Sequence, residues 1–204
     1  MLALSVLVVY QGTTFHRGVL NLYFVSHIGG IVMAVYYAVA LLHGLGSRHE
    51  TGFFTRTLSV VFHLAASLQF MIFVFYWALL AFDDFDRILT NKPKGEVAKE
   101  FLVALVHHLF FPLAIWFTIL LERTKFTSGN IWAVVIFSAV YVLLNGYITL
   151  STGIPVYDVV DWKGIASHIH LGLGLGLIFV GFFISKALSQ KISSRLGFLK
   201  TKGN

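Results

Sequence analysis

Residues 58–82 read LSVVFHLAASLQFMIFVFYWALLAF, a run without Lys, Arg, Asp or Glu. A helix needs about 20 mostly apolar residues to cross the hydrocarbon core of a bilayer. Strands of a membrane barrel would instead alternate apolar and polar residues in short segments, whereas this run is continuous. The stretch therefore predicts a membrane-spanning α-helix.

Four further runs of this kind occur in the 204-residue chain, and turn-forming residues separate them. The N-terminal run is apolar but shorter, and it lacks the basic start and the small-residue cleavage site of a signal peptide, so we interpret it as a shortened first span. The sequence predicts an all-α bundle, a single integral membrane domain over residues 1–204. The predicted spans lie near residues 1–11, 19–43, 58–82, 101–121, 130–150 and 165–186, followed by a basic tail, 187–204.

The composition agrees with this class of protein. Charged residues make up 12% and hydrophobic residues 57% of the chain, and cysteine is absent. A soluble domain carries about 25% charged residues, so a soluble domain, a disordered chain and a disulfide scaffold are excluded. The missing cysteines also exclude a thiol nucleophile and a Cys-ligated metal site. The net charge is +6. We expect no nucleic-acid partner, because basic residues in a membrane protein first indicate its orientation in the bilayer.

The basic residues favour one orientation. Nine of the 15 Lys and Arg residues fall on the side that holds both termini, which leaves six (15 − 9) on the other. The positive-inside rule makes the first side cytoplasmic. We expect a multi-pass protein of the endoplasmic reticulum, another endomembrane or the plasma membrane. The tail is expected either to lie against anionic lipid heads or to be a solvated end.

Polar residues within the spans gather at one depth. Each is costly in hydrocarbon and is therefore a functional candidate, although a histidine in a span can also serve only to bond a neighbouring helix. A rise of ~1.5 Å per residue places His43 and His63 near the cytoplasmic side. The same estimate places the others roughly 5–12 Å below the opposite surface: Ser26, His27, His107, His108, Asn145, Tyr147, His168 and His170. This predicts a pocket for an amphiphile, open to the non-cytoplasmic side.

Two chemistries suit such a cluster. Ester hydrolysis needs a nucleophile, a base and oxyanion donors; Ser26 lies level with His107, and Asn145 is a candidate donor. Asn145, Tyr147 and His168 are also candidates for the pocket lining. Alternatively, two histidines on facing helices bind haem iron axially, and the candidate pairs are His27 or His107 with His168 or His170, and His43 with His63.

A third pattern is glycine-rich. Gly172, Gly174 and Gly176 alternate with leucine inside the last span. No predicted strand precedes them, so close packing of helices is expected here rather than phosphate binding.

Three stretches resemble a known family, the androgen-induced and androgen-dependent TFPI-regulating multipass proteins. The first is the FVFYW of residues 73–77, followed by Ala-Phe-Asp at 81–83 and Asp-Arg at 86–87. The second is His107, which has the same spacing to Pro112 as the family's catalytic histidine. The third is the TGIPVY of residues 152–157, which is similar to the family's Thr-Gly-x-Trp-Val-Tyr loop with Pro in place of Trp.

The resemblance implies an intramembrane hydrolase of fatty acid esters of hydroxy fatty acids, with a lipid substrate and no metal or cofactor. It selects His107 over His108 as the catalytic histidine. The family's nucleophilic threonine has no counterpart, because the matching stretch, residues 23–29, lacks threonine. One register puts Ser26 at that position, and others put Tyr23 or Val25 there. A match to Val25 predicts a non-catalytic lipid-binding or regulatory membrane protein.

Overall fold

The computed structural model describes residues 24–45, 52–121 and 126–202, with side chains for all but 43–45, 121, 193 and 195–202. The predicted all-α class is confirmed: the described part is helical and contains no strand. The helices are α1 (Val25–Leu45), α2 (Gly52–Phe75), a first π-helical turn (Tyr76–Leu80), α3 (Ala81–Asn91), α4 (Lys94–Leu105), a second π-helical turn (Val106–Phe110), α5 (Phe111–Leu121), a 3-10 turn (Ser128–Asn130), α6 (Ile131–Thr152) and α7 (Ile165–Lys202).

Five stretches of the described chain are long and apolar enough to cross a membrane: Val25–Leu42, Gly52–Asn91, Lys94–Leu120, Ser128–Thr152 and Ile165–Ile192. They match five of the six predicted spans. The sixth prediction, residues 1–11, lies outside the described residues. The chain is accordingly a polytopic helical bundle of membrane-protein type.

Helix α2 lies at the centre of the bundle and contacts α1, α5, α6 and α7. Two apolar clusters pack around it. One centres on Phe62 and Phe111, towards the end of the bundle that holds Phe126, and the other on Leu68, Ile72 and Phe182.

Two helical stretches are longer than a bilayer requires. From Gly52 the helix runs 40 residues to Asn91, which at ~1.5 Å per residue is about 60 Å, twice the hydrocarbon thickness. It ends before Pro93, whose ring cannot continue a helix. An ion pair between Lys92 and Glu100, 3.1 Å long, ties the turn to α4. Together α3 and α4 form a helical hairpin that extends beyond the span.

The last helix corrects the predicted tail. We expected the final span to end at residue 186, but α7 continues to Lys202 without a break. Leu188 and Ile192 pack against the cluster around Phe62, and Ser189 is buried. At least the start of the tail is therefore part of the bundle, rather than a segment on lipid heads.

The glycine-rich stretch packs against a helix at one of its three glycines: a Cβ built on Gly174 would lie 3.7 Å from the ring of Phe75 on α2. Among the described atoms, none lies within 4 Å of a Cβ built on Gly172 or Gly176, so these two glycines do not pack against a helix. The close approach occurs at Gly181, where a Cβ would lie 2.7 Å from the Cβ of Phe70 and 2.9 Å from the carbonyl oxygen of Ser67. A side chain there would separate α7 from α2.

Candidate functional site

A cavity opens within the bundle between α1, α2, α6 and α7, at the end where the 153–164 loop joins α6 to α7. It holds about 640 Å³ of space free of atoms, its open mouth included. Its apolar wall comes mainly from α2 and α7. Its polar lining residues are Ser26, Tyr76, His108, Tyr141, Asn145, Tyr157 and His170. Four of the eight polar residues predicted to share one depth therefore line one cavity.

Ser26 lies in the first turn of α1 and is 7% exposed. The backbone N–H of Val25 donates to the Tyr157 hydroxyl at 2.8 Å. The tyrosine thereby caps the start of the helix, where the first N–H groups lack helical acceptors. The positive end of the α1 dipole thus lies beside the Ser26 hydroxyl.

His107 and His108 occupy different environments. His108 lines the cavity. His107 is 5% exposed and does not belong to the lining; its ring lies perpendicular to that of His27, with centroids 4.8 Å apart, and stacks at 6.0 Å on Phe111. His108, and not the predicted His107, therefore lines the cavity together with Ser26.

The two π-helical turns face each other at His108. The ring of Tyr76 stacks on the His108 ring, with centroids 3.6 Å apart and planes 5° apart. The indole N–H of Trp77 donates to the His108 carbonyl at 2.9 Å. The sequence analysis used residues 73–77 only for the resemblance and predicted neither contact. Pro112 is the signal for the second contact, because a proline four residues after His108 leaves the His108 carbonyl without its helical N–H donor.

The loop beside the cavity is held by a chain of polar contacts. The indole N–H of Trp162 donates to the Asn145 side-chain carbonyl at 2.8 Å. Tyr157 of the same loop accepts the Val25 N–H at 2.8 Å. Asn145, 2% exposed, therefore anchors the loop through its side-chain oxygen, whereas an oxyanion would be bound by its amide N–H groups.

Two further features belong to the same loop, the backbone conformation of Trp162 and the protonation of Tyr157. Trp162 has a φ of +63°, an uncommon value for a non-glycine residue, and its N–H donates to the Ser167 hydroxyl at 2.9 Å. Burial raises the pKa of the Tyr157 hydroxyl well above its ordinary value, so the phenol stays protonated near neutral pH. A neutral hydrogen-bond donor is thereby retained next to Ser26.

Two predicted lining residues lie elsewhere. Tyr147 is 72% exposed on the outer face of α6. His168 is also exposed, and its Nδ1 donates to the Gly164 carbonyl at 2.9 Å. Neither belongs to the cavity lining. Depth along the helix was estimated for both, but the side of the helix was not, and both side chains face outward.

The histidine pairs considered for haem are placed as follows. The His27 and His107 rings are in contact with each other, and His170 lines the cavity. His63 lies in the other half of the bundle, where its Nδ1 is 2.7 Å from the Asn130 amide nitrogen and 3.3 Å from the Ser59 hydroxyl. The His43 side chain lies outside the described residues. Within the described chain, no group of three or more His, Asp or Glu side chains is arranged to hold a metal ion.

Comparisons with known proteins add no relative. No protein-family model matches the chain. No curated protein and no solved structure matches it significantly.

Proposed function

We propose that the protein is an intramembrane hydrolase of lipid esters, with fatty acid esters of hydroxy fatty acids as the substrate class. The observation that carries the proposal is that Ser26 and His108 line one cavity inside a membrane-type bundle. The family resemblance of the three sequence stretches supports the substrate class.

The proposed reaction uses a hydroxyl nucleophile and a histidine base. Ser26 Oγ attacks the ester carbonyl carbon while the imidazole of His108 accepts the hydroxyl proton. The tetrahedral intermediate collapses, the bond to the alcohol oxygen breaks, and the imidazolium returns the proton to that oxygen. Water then hydrolyses the acyl-serine with the same histidine as base, which releases the fatty acid.

Two features beside Ser26 support stabilisation of the oxyanion. The start of α1 carries the positive end of the helix dipole. The Tyr157 hydroxyl lies at the same place, since it accepts the Val25 N–H at 2.8 Å, and it keeps its proton because burial raises its pKa. Asn145 keeps its proposed donor role, because the Trp162 indole bonds only its side-chain oxygen and leaves the amide N–H groups as donors.

The remainder of the cavity suits an acyl chain. Met71 and Ile72 of α2 and Leu175 and Ile178 of α7 form an apolar wall. Burial of a methylene group contributes about 0.8 kcal/mol, so a long chain would supply most of the affinity. The orientation proposed from the basic residues places the cavity in the non-cytoplasmic half of an endomembrane or the plasma membrane, with both termini cytoplasmic.

Turnover of a fatty acid ester of a hydroxy fatty acid by the protein in phosphatidylcholine nanodiscs tests the proposal. Ser26→Ala should lower kcat at least ~10³-fold, because the nucleophile is removed. Ser138→Ala is the matched control, since Ser138 is equally buried but does not line the cavity. It should retain wild-type activity.

The same assay separates the two histidines. His108→Asn should lower kcat at least ~10²-fold, and His107→Asn should lower it less. A larger loss in His107→Asn than in His108→Asn would identify His107, the residue that the resemblance selects, as the base. Turnover that is equal in the wild type and Ser26→Ala would contradict the hydrolase and favour a non-catalytic lipid-binding protein.

A further inference from the structure

We infer that Tyr76 and Trp77, on the first π-helical turn, are positioning residues that hold His108 at the cavity wall. The inference rests on the proposed function, because it gives the base of that reaction a fixed orientation. It concerns residues for which neither the resemblance nor the polar pattern of the spans suggests a role.

The backbone contact follows from a proline. In an α-helix the carbonyl of His108 would accept the N–H of residue 112, but Pro112 has no N–H and its ring crowds that carbonyl. The helix widens into the second π-helical turn, with the Phe111 N–H donating to the Val106 carbonyl. The Trp77 indole N–H donates instead to the His108 carbonyl at 2.9 Å. A partly buried acceptor left open by the proline is thus satisfied by a donor from the neighbouring helix.

The ring contact leaves the reactive atoms free. Tyr76 covers one face of the imidazole, 3.6 Å between centroids and 5° between planes. Stacking restricts rotation of the His108 ring, whereas both nitrogens lie at the ring edge and stay available for a proton. The Nδ1 atom of His108 is buried and makes no hydrogen bond to a described residue.

Tyr76 is itself fixed at its far end. Its hydroxyl donates to Asp84 Oδ2 at 2.8 Å, and Arg87 pairs with the other oxygen of the same carboxylate. Asp84 lies on α3, one part of the hairpin beyond the span. The α3–α4 hairpin therefore fixes Tyr76 through Asp84, and the Tyr76 ring restricts the His108 imidazole. Trp77 fixes the backbone of His108.

Steady-state kinetics of position-76 and position-77 variants in nanodiscs, with a fatty acid ester of a hydroxy fatty acid, test the inference. Tyr76→Leu removes the stacked ring and should lower kcat about 10²-fold with KM within about twofold, the scale expected for ~1 Å of misplacement of a catalytic group. Tyr76→Phe keeps the ring and should recover at least a tenth of wild-type kcat. Trp77→Phe should lower kcat about tenfold.

Phe73→Leu is the matched control, because Phe73 is an aromatic residue of α2 that packs on Trp116 away from the cavity. It should leave kcat unchanged, and thermal unfolding of each variant identifies any that fail to fold. Wild-type kcat in a folded Tyr76→Leu protein would overturn the positioning role alone. A wild type no faster than Ser26→Ala would overturn the hydrolase, and the positioning role with it.

Discussion

Replacing Trp162 with Phe tests whether the loop beside the cavity is anchored as the structure shows. The indole N–H donates to the Asn145 carbonyl at 2.8 Å, and the ring lies on Gly146, where a Cβ would be 3.1 Å from it. Phenylalanine keeps an aromatic ring but leaves the buried acceptor unpaired. An unsatisfied buried group costs about 1–3 kcal/mol. For a chain of this length that corresponds to a fall in Tm of roughly 2–4 °C per kcal/mol, or about 2–12 °C.

The assay is thermal unfolding of the protein in nanodiscs, with Trp132→Phe as control. Trp132 is 52% exposed, so its replacement should change stability by less than about 0.5 kcal/mol. A double-mutant cycle with Asn145→Leu isolates the hydrogen bond, and the coupling should be at least about 0.6 kcal/mol. Equal Tm values for Trp162→Phe and Trp132→Phe, or additive effects in the cycle, would refute the anchoring.

Further predictions concern backbone and packing. Gly181→Ala should cost about 1–3 kcal/mol by overpacking α7 against α2, whereas Gly172→Ala, with open space at the Cβ, should not destabilise the bundle; equal Tm values would contradict the packing at Gly181. Gly153 ends α6 with a φ of +69°, so Gly153→Ala should cost about 1–2 kcal/mol and Gly153→Asn less. Burial raises the pKa of Tyr157, so the folded state binds its proton more tightly than the unfolded chain, and the stability it contributes is full below about pH 10 and falls progressively as the pH rises from there towards the raised pKa. Unfolding curves near pH 9 and pH 11 should show that loss in the wild type and a smaller one in Tyr157→Phe.

The apolar runs predicted the spans because hydrophobic length is a property of composition alone. Helix ends were harder to predict. Charged residues after position 82 end the apolar run, but they do not interrupt the helix, which continues to Asn91 and ends before Pro93. The same holds for the basic tail, where α7 continues through Lys202.

The sequence predicted how deep each site residue lies along its span, but not the side of the helix on which its side chain lies. Ser26 and Asn145 were placed at the right level and do line the cavity, whereas Tyr147 at a similar level faces outward. The choice of His107 over His108 came from the resemblance, whereas the cavity is lined by His108. Both histidines lie in the π-helical turn before Pro112, where the regular α-helical spacing of side chains is interrupted. The loop contacts of Trp162 join residues distant along the chain and depend on a positive φ that sequence periodicity does not report.

Site mapping with a fluorophosphonate probe shows whether Ser26 is the nucleophile, because the probe reacts covalently with an activated serine. The protein in nanodiscs is treated with the probe and digested, and the modified peptide is identified by mass spectrometry. We predict an adduct on Ser26 that is absent in Ser26→Ala, strongly reduced in His108→Asn and unchanged in Ser138→Ala. An unmodified Ser26, or labelling that persists in Ser26→Ala, would contradict the account.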